Sequence, residues 1–156
     1  WNIFLETLKK IDKSKYFLCI FGNFWSDKIL DKIGVEYKSF GFIKDKTKLN
    51  CLYSGSDVFV ASSIQEAFGK TWAESLACGT PVVCFSNTAS SEIINHKING
   101  YIVDDLDSEK LKDGINWLTD NYENLQNKVD LRKVVEKFDS KKISEEYIRL
   151  YKNFIN

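Results

Sequence analysis

Apolar residues along this chain concentrate in short strand-like runs, separated by stretches in which they recur every three or four positions. The runs are Tyr16–Phe21, Val35–Phe40, Asp57–Val60, Pro81–Phe85 and Gly100–Val103. Each is strand-sized with little polar alternation, the pattern that burial on both faces of a sheet demands. Between them, Ser26–Ile33 places Ile29, Leu30 and Ile33 on one helical face, and Lys46–Tyr53 does the same with Leu49, Leu52 and Tyr53. Gly69–Cys78 and Ser91–Asn95 predict two more helices, the first stopped by Gly79 as a C′ residue with Pro81 just beyond. Strands alternating with helices predict an α/β fold, Rossmann-like, with a mostly parallel sheet and helices on both faces.

The C-terminal part is helical. Ser108 is the expected N-cap of a helix with the buried stripe Leu111, Ile115 and Leu118. A second helix is predicted over Tyr122–Val135. A third follows Asp139, with Ile143, Tyr147, Leu150, Tyr151 and Phe154 on its apolar side and lysines and glutamates on a solvated face. No repeat or linker interrupts the chain, so residues 1–156 read as a single domain. The first residues already form an amphipathic helix, with Phe4, Leu5, Leu8 and Ile11 at helical spacing. A crossover helix normally follows a strand of its own, so the domain is expected to be truncated on its N-terminal side, with a first strand ahead of Trp1.

Composition narrows the function. Hydrophobic residues make up 44% and aromatic residues 14%, enough for a packed core. Twenty-two Lys+Arg balance twenty-two Asp+Glu, which argues against nucleic acid as a partner. The longest apolar runs are far shorter than the roughly 20 residues of a membrane-spanning helix, and the opening residues do not resemble a signal peptide. Cys19, Cys51, Cys78 and Cys84 are scattered, and His96 is the one histidine. Metal ligands cluster at short spacing, so no metal is expected, and the cysteines read as buried free thiols in a reducing cytoplasm.

The chemistry concentrates in Asp57–Gly79, DVFVASSIQEAFGKTWAESLACG. A strand ends near Val60, a polar segment follows, and a helix opens near Gly69. Ligands of open α/β sheets gather at the carboxyl ends of strands. There Phe68, Gly69 and Lys70 offer free backbone N–H groups at a helix start, which favour an anion and above all a phosphate. Glu66 in the loop and Glu74 about one turn into the helix cannot assist a phosphate by charge. They can accept hydrogen bonds from hydroxyls, which points to a sugar attached to a phosphate.

These residues resemble the E-x7-E region of GT-B glycosyltransferases, specifically glycosyltransferase family 4. Glu66 and Glu74 have the required spacing. Asp57-Val58-Phe59-Val60, Ser62, Phe68-Gly69, Glu74-Ser75-Leu76-Ala77-Cys78-Gly79-Thr80-Pro81-Val82-Val83, Glu92-Ile93-Ile94 and Asn99-Gly100-Tyr101-Ile102-Val103 follow in the family's order. Upstream, Ile20-Phe21-Gly22 and Phe40-Gly41-Phe42-Ile43 resemble its strand-end glycine and its GFV turn. The resemblance implies the C-terminal, donor-binding half of a GT-B fold. Such an enzyme transfers a hexose from a nucleoside-diphosphate sugar to a glycan or lipid-linked acceptor with retention, in cell-surface polysaccharide biosynthesis. It implies no cofactor and no metal, a cytoplasmic location at the inner face of the membrane with peripheral attachment of the whole protein, and an acceptor domain ahead of Trp1. Catalysis would turn on Glu66, holding a hydroxyl of the transferred sugar, and Glu74, binding the ribose hydroxyls. The Phe68–Lys70 amides would meet the sugar or diphosphate, the backbone at Ile43 the base, and Gly22 would let the chain pass close to the donor. Asn23, Ser62 and Thr71 complete the expected donor contacts.

The sequence departs from the family pattern at three places. Thr88-Ala89 replaces a Gly-Gly, Phe24 replaces the second glycine of a G-x-G turn, and the basic pair for the diphosphate would precede Trp1. The chain alone is therefore expected to bind donor weakly and not to turn over. Plainer roles compete at single residues: Lys70 as a solvated lysine, Trp25 as core, Trp72, Trp117 and the tyrosine-rich last helix as packing, and His96 and Glu92 as structural. Asn87 and Ser62 sit at strand ends, near the site. Two other classes share the architecture. A GT-B-type nucleotide-sugar epimerase would normally bring more histidines, and a non-catalytic α/β interaction module would not need the ordered Glu66–Gly69–Glu74 set.

Overall fold

The computed structural model describes residues 2–22, 31–32, 34–86, 89–128 and 130–155. The helix expected over Ser26–Ile33 falls largely outside them, as do Asn23, Phe24, Trp25, Asn87 and Thr88. β1 (Phe17–Ile20) pairs in parallel with β2 (Glu36–Ser39). A second parallel sheet has the order β3 (Phe59–Ala61), β4 (Val82–Phe85), β5 (Gly100–Val103). The first four strands are shorter than the apolar runs that predicted them, whereas β5 matches its run, and the third is displaced: Asp57 and Val58 precede it and it continues to Ala61.

The helices are α1 (Asn2–Lys10), α2 (Lys46–Ser54), α3 (Lys70–Ala77), α4 (Ser90–Ile93), α5 (Ser108–Asp120), α6 (Tyr122–Lys128), α7 (Leu131–Val135) and α8 (Ser140–Ile155), with a 3₁₀ turn at Glu136–Phe138. Their ends follow local chemistry. Gly79, at φ 86°, donates to the Leu76 carbonyl, and Thr80 donates to that of Ser75, a complete Schellman stop for α3. Two expectations need correction. α5 is capped by Asp107 rather than Ser108, because the Asp107 carboxylate reaches the amides of Glu109 (2.8 Å) and Lys110 (3.0 Å). The helix expected over Tyr122–Val135 is two, because Asp130 adopts an extended backbone and accepts from the Arg132 amide at 3.2 Å, starting α7 afresh.

β4 divides the core. Val83 and Phe85 point into a cluster with Phe4 and Leu8 of α1, Ile11 just beyond it, and Leu111, Ile115 and Leu118 of α5. Val82 and Cys84 point the other way, into Trp72 and Leu76 of α3, Ile93 of α4, and Leu131 and Val135 of α7. A strand's side chains alternate between faces, so four consecutive buried residues build two cores. Gly114 lets α5 lie close to the sheet: a Cβ there would stand 2.8 Å from the Tyr101 ring and 2.9 Å from Val83. α1 is fixed to α5 by the buried Thr7 hydroxyl, 3.1 Å from the Ser108 carbonyl, and by Lys10, which reaches Ser108 Oγ at 2.8 Å.

Burial on both faces does not extend to β2. Glu36, Lys38 and Ser39 are exposed there, and charged side chains suit an edge that must not pair further. Among the described residues, β1 and β3 each keep one edge without a strand partner. Both edges line a cleft of about 1200 Å³, whose walls include Leu8, Ile11 and Ile115. Phe21 bridges the two sheets, with its ring 5.5 Å from Tyr53 and 6.2 Å from Phe59. α8 also departs from expectation. Asp139 holds its first amides, but none of its residues is buried, and Tyr147, Leu150, Tyr151 and Phe154 are exposed. Among the described residues no helix is long and apolar enough to cross a membrane.

The four cysteines are free, but their expected burial holds fully for Cys84 alone; Cys51 is exposed and the other two are intermediate. Burial pushes the Cys84 thiol from 9.0 up to about 12. An unfolded thiol ionises near 9.0, so unfolding releases a proton above that pH, and this group's contribution to stability is lost as pH rises through that range. At pH 8, a thiol reagent should label Cys51 rapidly and Cys84 after denaturant is added; early Cys84 labelling, followed by peptide mass spectrometry, would contradict the packing. Gly100→Ala should cost about 2–4 kcal/mol in urea unfolding, since its Cβ would stand 2.3 Å from the Val82 carbonyl oxygen, where backbone cannot yield cheaply.

Candidate functional site

Beyond β3 the chain runs irregularly through residues 62–68 and enters α3 at Gly69. Gly69 has φ 72° and ψ 51°, a left-handed conformation that favours glycine. A Cβ there would lie 2.6 Å from Trp72 Cδ2. The buried Trp72 ring thus packs directly beneath the turn, while the Gly69 carbonyl accepts from the amides of Trp72 and Ala73. Gly69, at the N-cap, contributes no side-chain hydrogen bond to this helix end, in contrast to Asp45 at α2 and Asp107 at α5. Its first-turn N–H groups, at the exposed Lys70 and Thr71, are therefore available to an anion.

Glu74 follows one turn later. Its Oε2 accepts a hydrogen bond from the Tyr53 hydroxyl at 3.2 Å, and its Oε1 lies 3.9 Å from Lys70 Nζ. Tyr53 is 2% exposed. Burial first, and then the Glu74 charge, push its phenol upward, so it stays protonated and can always donate. Burial likewise raises the Cys78 thiol at the far end of α3, with Arg132 opposing the rise. Glu66 is placed differently: its Oε1 accepts from the amides of Ala67 (3.2 Å) and Phe68 (3.5 Å) within its own loop. The Phe68 ring packs edge-on against Phe138 at 5.1 Å, tying that loop to the turn before α8.

The ends of β1 and β2 carry two further expected donor contacts, Gly22 and Ile43. Gly22, at φ 115°, donates to the Gly41 carbonyl at 2.8 Å, and the Phe40 amide donates to Ile20 at 2.8 Å. Ile43 lines a pocket of about 440 Å³ with Phe40, Thr47, Lys48, Cys51 and Leu52, at the flank of α2. Ser62 and Thr71 line the cleft between the sheets, close to where β3 ends.

The structure therefore joins Lys70 with Glu74 and Ser62 with Thr71, while Glu66 stays with Phe68. Asn23 lies outside the described residues. His96 sits at the other end of the sheet, where its Nδ1 accepts from the Ile102 amide at 3.1 Å beside the start of β5. Trp72 is core, and Trp117 packs 5.8 Å from Tyr101. Glu92 offers its backbone carbonyl to Lys137. Tyr53 is the site residue the sequence did not single out; it appeared as one apolar position of α2, and its contact to Glu74 is tertiary.

Residues 2–133 match the family described as Glycosyl transferases group 1. The uncharacterized glycosyltransferase MJ1607 of Methanocaldococcus jannaschii is 33% identical over 125 residues, which is 78% of this chain and 32% of that protein. Spore coat protein SA of Bacillus subtilis is 31% identical over 114 residues, 70% of this chain and 30% of the relative. Among solved structures, Anabaena Alr3699/HepE in complex with UDP superposes with a TM-score of 0.81 over 97% of this chain and 44% of that one, at 18% identity. That last likeness concerns the fold. The chain thus spans about a third of the curated relatives it matches and less than half of the structural neighbour. On a match that takes in most of its length, with the parallel strands and surrounding helices of a GT-B domain, the chain belongs to the group 1 glycosyl transferases.

Proposed function

We propose that this chain is the donor-binding half of a retaining glycosyltransferase of family 4, which moves a hexose from a nucleoside-diphosphate sugar to a glycan or lipid-linked acceptor. The observation that carries this reading is the Gly69–Glu74 unit: an uncapped helix start at the carboxyl end of β3, one turn from a carboxylate held by a buried phenol. The first amides of α3 and its dipole suit the diphosphate. Lys70 is exposed and its pairing with Glu74 is long, so little is lost when the ammonium turns to a phosphate oxygen. Glu74 then takes the ribose hydroxyls. Glu66 exchanges its loop amides for a hydroxyl of the sugar. The base lies against the pocket at Ile43, with Gly22 close to the donor. The UDP bound by the HepE structure supports a nucleoside diphosphate as the leaving group.

In the reaction, the bond from the anomeric carbon to the β-phosphate oxygen breaks and an acceptor oxygen bonds to that carbon from the same face. The acceptor's proton passes to the departing phosphate. Helix amides and basic side chains stabilise the developing charge, so no metal is required. The acceptor-binding half belongs to the remainder of a longer protein, which also lays a strand between β1 and β3. Among the described residues, the edges of β1 and β3 that carry no strand partner lie on one cleft, which supports that placement. Cell-surface polysaccharide assembly, with the whole enzyme peripheral to the cytoplasmic face of the membrane, is the setting we assign; the spore coat relative supports a surface product.

Calorimetric titration with UDP, GDP, ADP, UDP-glucose and GDP-mannose tests the reading. One nucleotide should bind selectively, and Glu74→Ala should weaken it about tenfold or more, the worth of hydrogen bonds to a charged group. Glu66→Ala should leave the bare nucleotide unchanged and remove the advantage of the sugar-bearing donor. Equal affinities in wild type and both variants would sink these roles. Gly69→Ala should lower both nucleotide affinity and stability, the latter by about 1–3 kcal/mol, through strain at positive φ and the clash with Trp72. Unaltered melting and binding in that variant would show that the turn does not need glycine.

A further inference from the structure

We propose that Tyr53 is a positioning residue for the donor: its hydroxyl fixes the Glu74 carboxylate in the orientation that receives the ribose diol. The inference rests on the donor-site reading above and deepens it.

Glu74 cannot hold itself. Its side chain is 35% exposed on a helix facing the site, and its ionic neighbour Lys70 is 84% exposed and 3.9 Å away. A long exposed pair of this kind imposes little direction. Tyr53 is the opposite in every respect. Its ring is buried between Phe21 and Phe59, edge-on to both with centroids 5.5 Å apart in each case. Its backbone carbonyl accepts from the Thr80 hydroxyl, which stands immediately beyond the Schellman stop of α3. The phenol is therefore locked to the same helix that carries Glu74, through a second connection at the helix's other end.

The donor geometry is directional as well. The Tyr53 hydroxyl takes one acceptor position on Oε2. A carboxylate has about four such positions, so the rest stay open to two vicinal hydroxyls. With Oε2 tethered, rotation of the carboxylate is restricted before any ligand arrives, and ordering that is complete in advance need not be supplied by binding. A buried tyrosine that merely satisfied its own hydroxyl would influence folding; it would not influence which nucleotides the site distinguishes.

The test is Tyr53→Phe in this chain, which keeps the ring and removes the donor. UDP and GDP, each beside its 2′,3′-dideoxy analogue, are titrated by protein-observed NMR into wild type and variant. Wild type should prefer the diol-bearing form of the nucleotide it binds by roughly tenfold, about 1.4 kcal/mol. In Tyr53→Phe that preference should fall to about twofold or less, with dideoxy affinity unchanged. Retention of the wild-type ratio by the variant would overturn the proposal, as would equal weakening of both ligands, which marks a structural role. Absence of any preference in wild type would instead remove Glu74 from the ribose, and the Tyr53 role with it. Because the readout is a ratio within one protein, a change in melting temperature does not enter it.

Discussion

A strand whose every side chain must be apolar ties this domain together. β4 sends Val83 and Phe85 to one helical layer and Val82 and Cys84 to the other, and none of the four is more than 1% exposed. Two otherwise separate cores are thereby registered to a single backbone. β3 and β5 inherit their heights from it through parallel pairing, and α3 and α5 inherit their distances from the sheet through what those side chains allow. The close approach of α5 at Gly114 and the entry of Trp72 under Gly69 are both settled against this strand's neighbours. The carboxyl end of β3, where we place the proposed donor site, is thus positioned by residues buried in the two cores.

Much of this was legible in the chain because it depends on near neighbours. Gly79 as a helix stop needs only a residue able to adopt a left-handed conformation beside the last turn, and the Val82–Phe85 run shows its double burial without any partner in view. The loop–helix unit with Glu66, Gly69 and Glu74 was legible from its spacing and resemblance. The helix caps were misread where two capping side chains compete: Ser108 and Asp107 are adjacent, and the carboxylate won by reaching two amides at once. The same local bonding at Asp130 outweighed an apolar periodicity that ran through Tyr122–Val135.

What depends on distant contacts could not be read. Tyr53 is 21 positions from Glu74, and nothing in its own segment distinguishes a core aromatic from one that donates to that carboxylate. Glu66 is a different case: it accepts from the amides one and two positions on, a local curl of the loop that its spacing to Glu74 does not encode. The exposure of α8 is of this kind too. Its apolar stripe is plain in the sequence, but the surface such a stripe meets is never written in the stripe itself.

The threonine that follows the stop of α3 has a mechanical consequence. Thr80 donates to the Tyr53 carbonyl, lies 3.2 Å from the Ser56 carbonyl, and accepts through its own carbonyl from the Ser75 hydroxyl. α2, α3 and the entry to β4 are therefore pinned at one buried knot. The α2 side of the Ile43 pocket and the Glu74 carboxylate are carried on those two helices, so this knot sets the spacing between them.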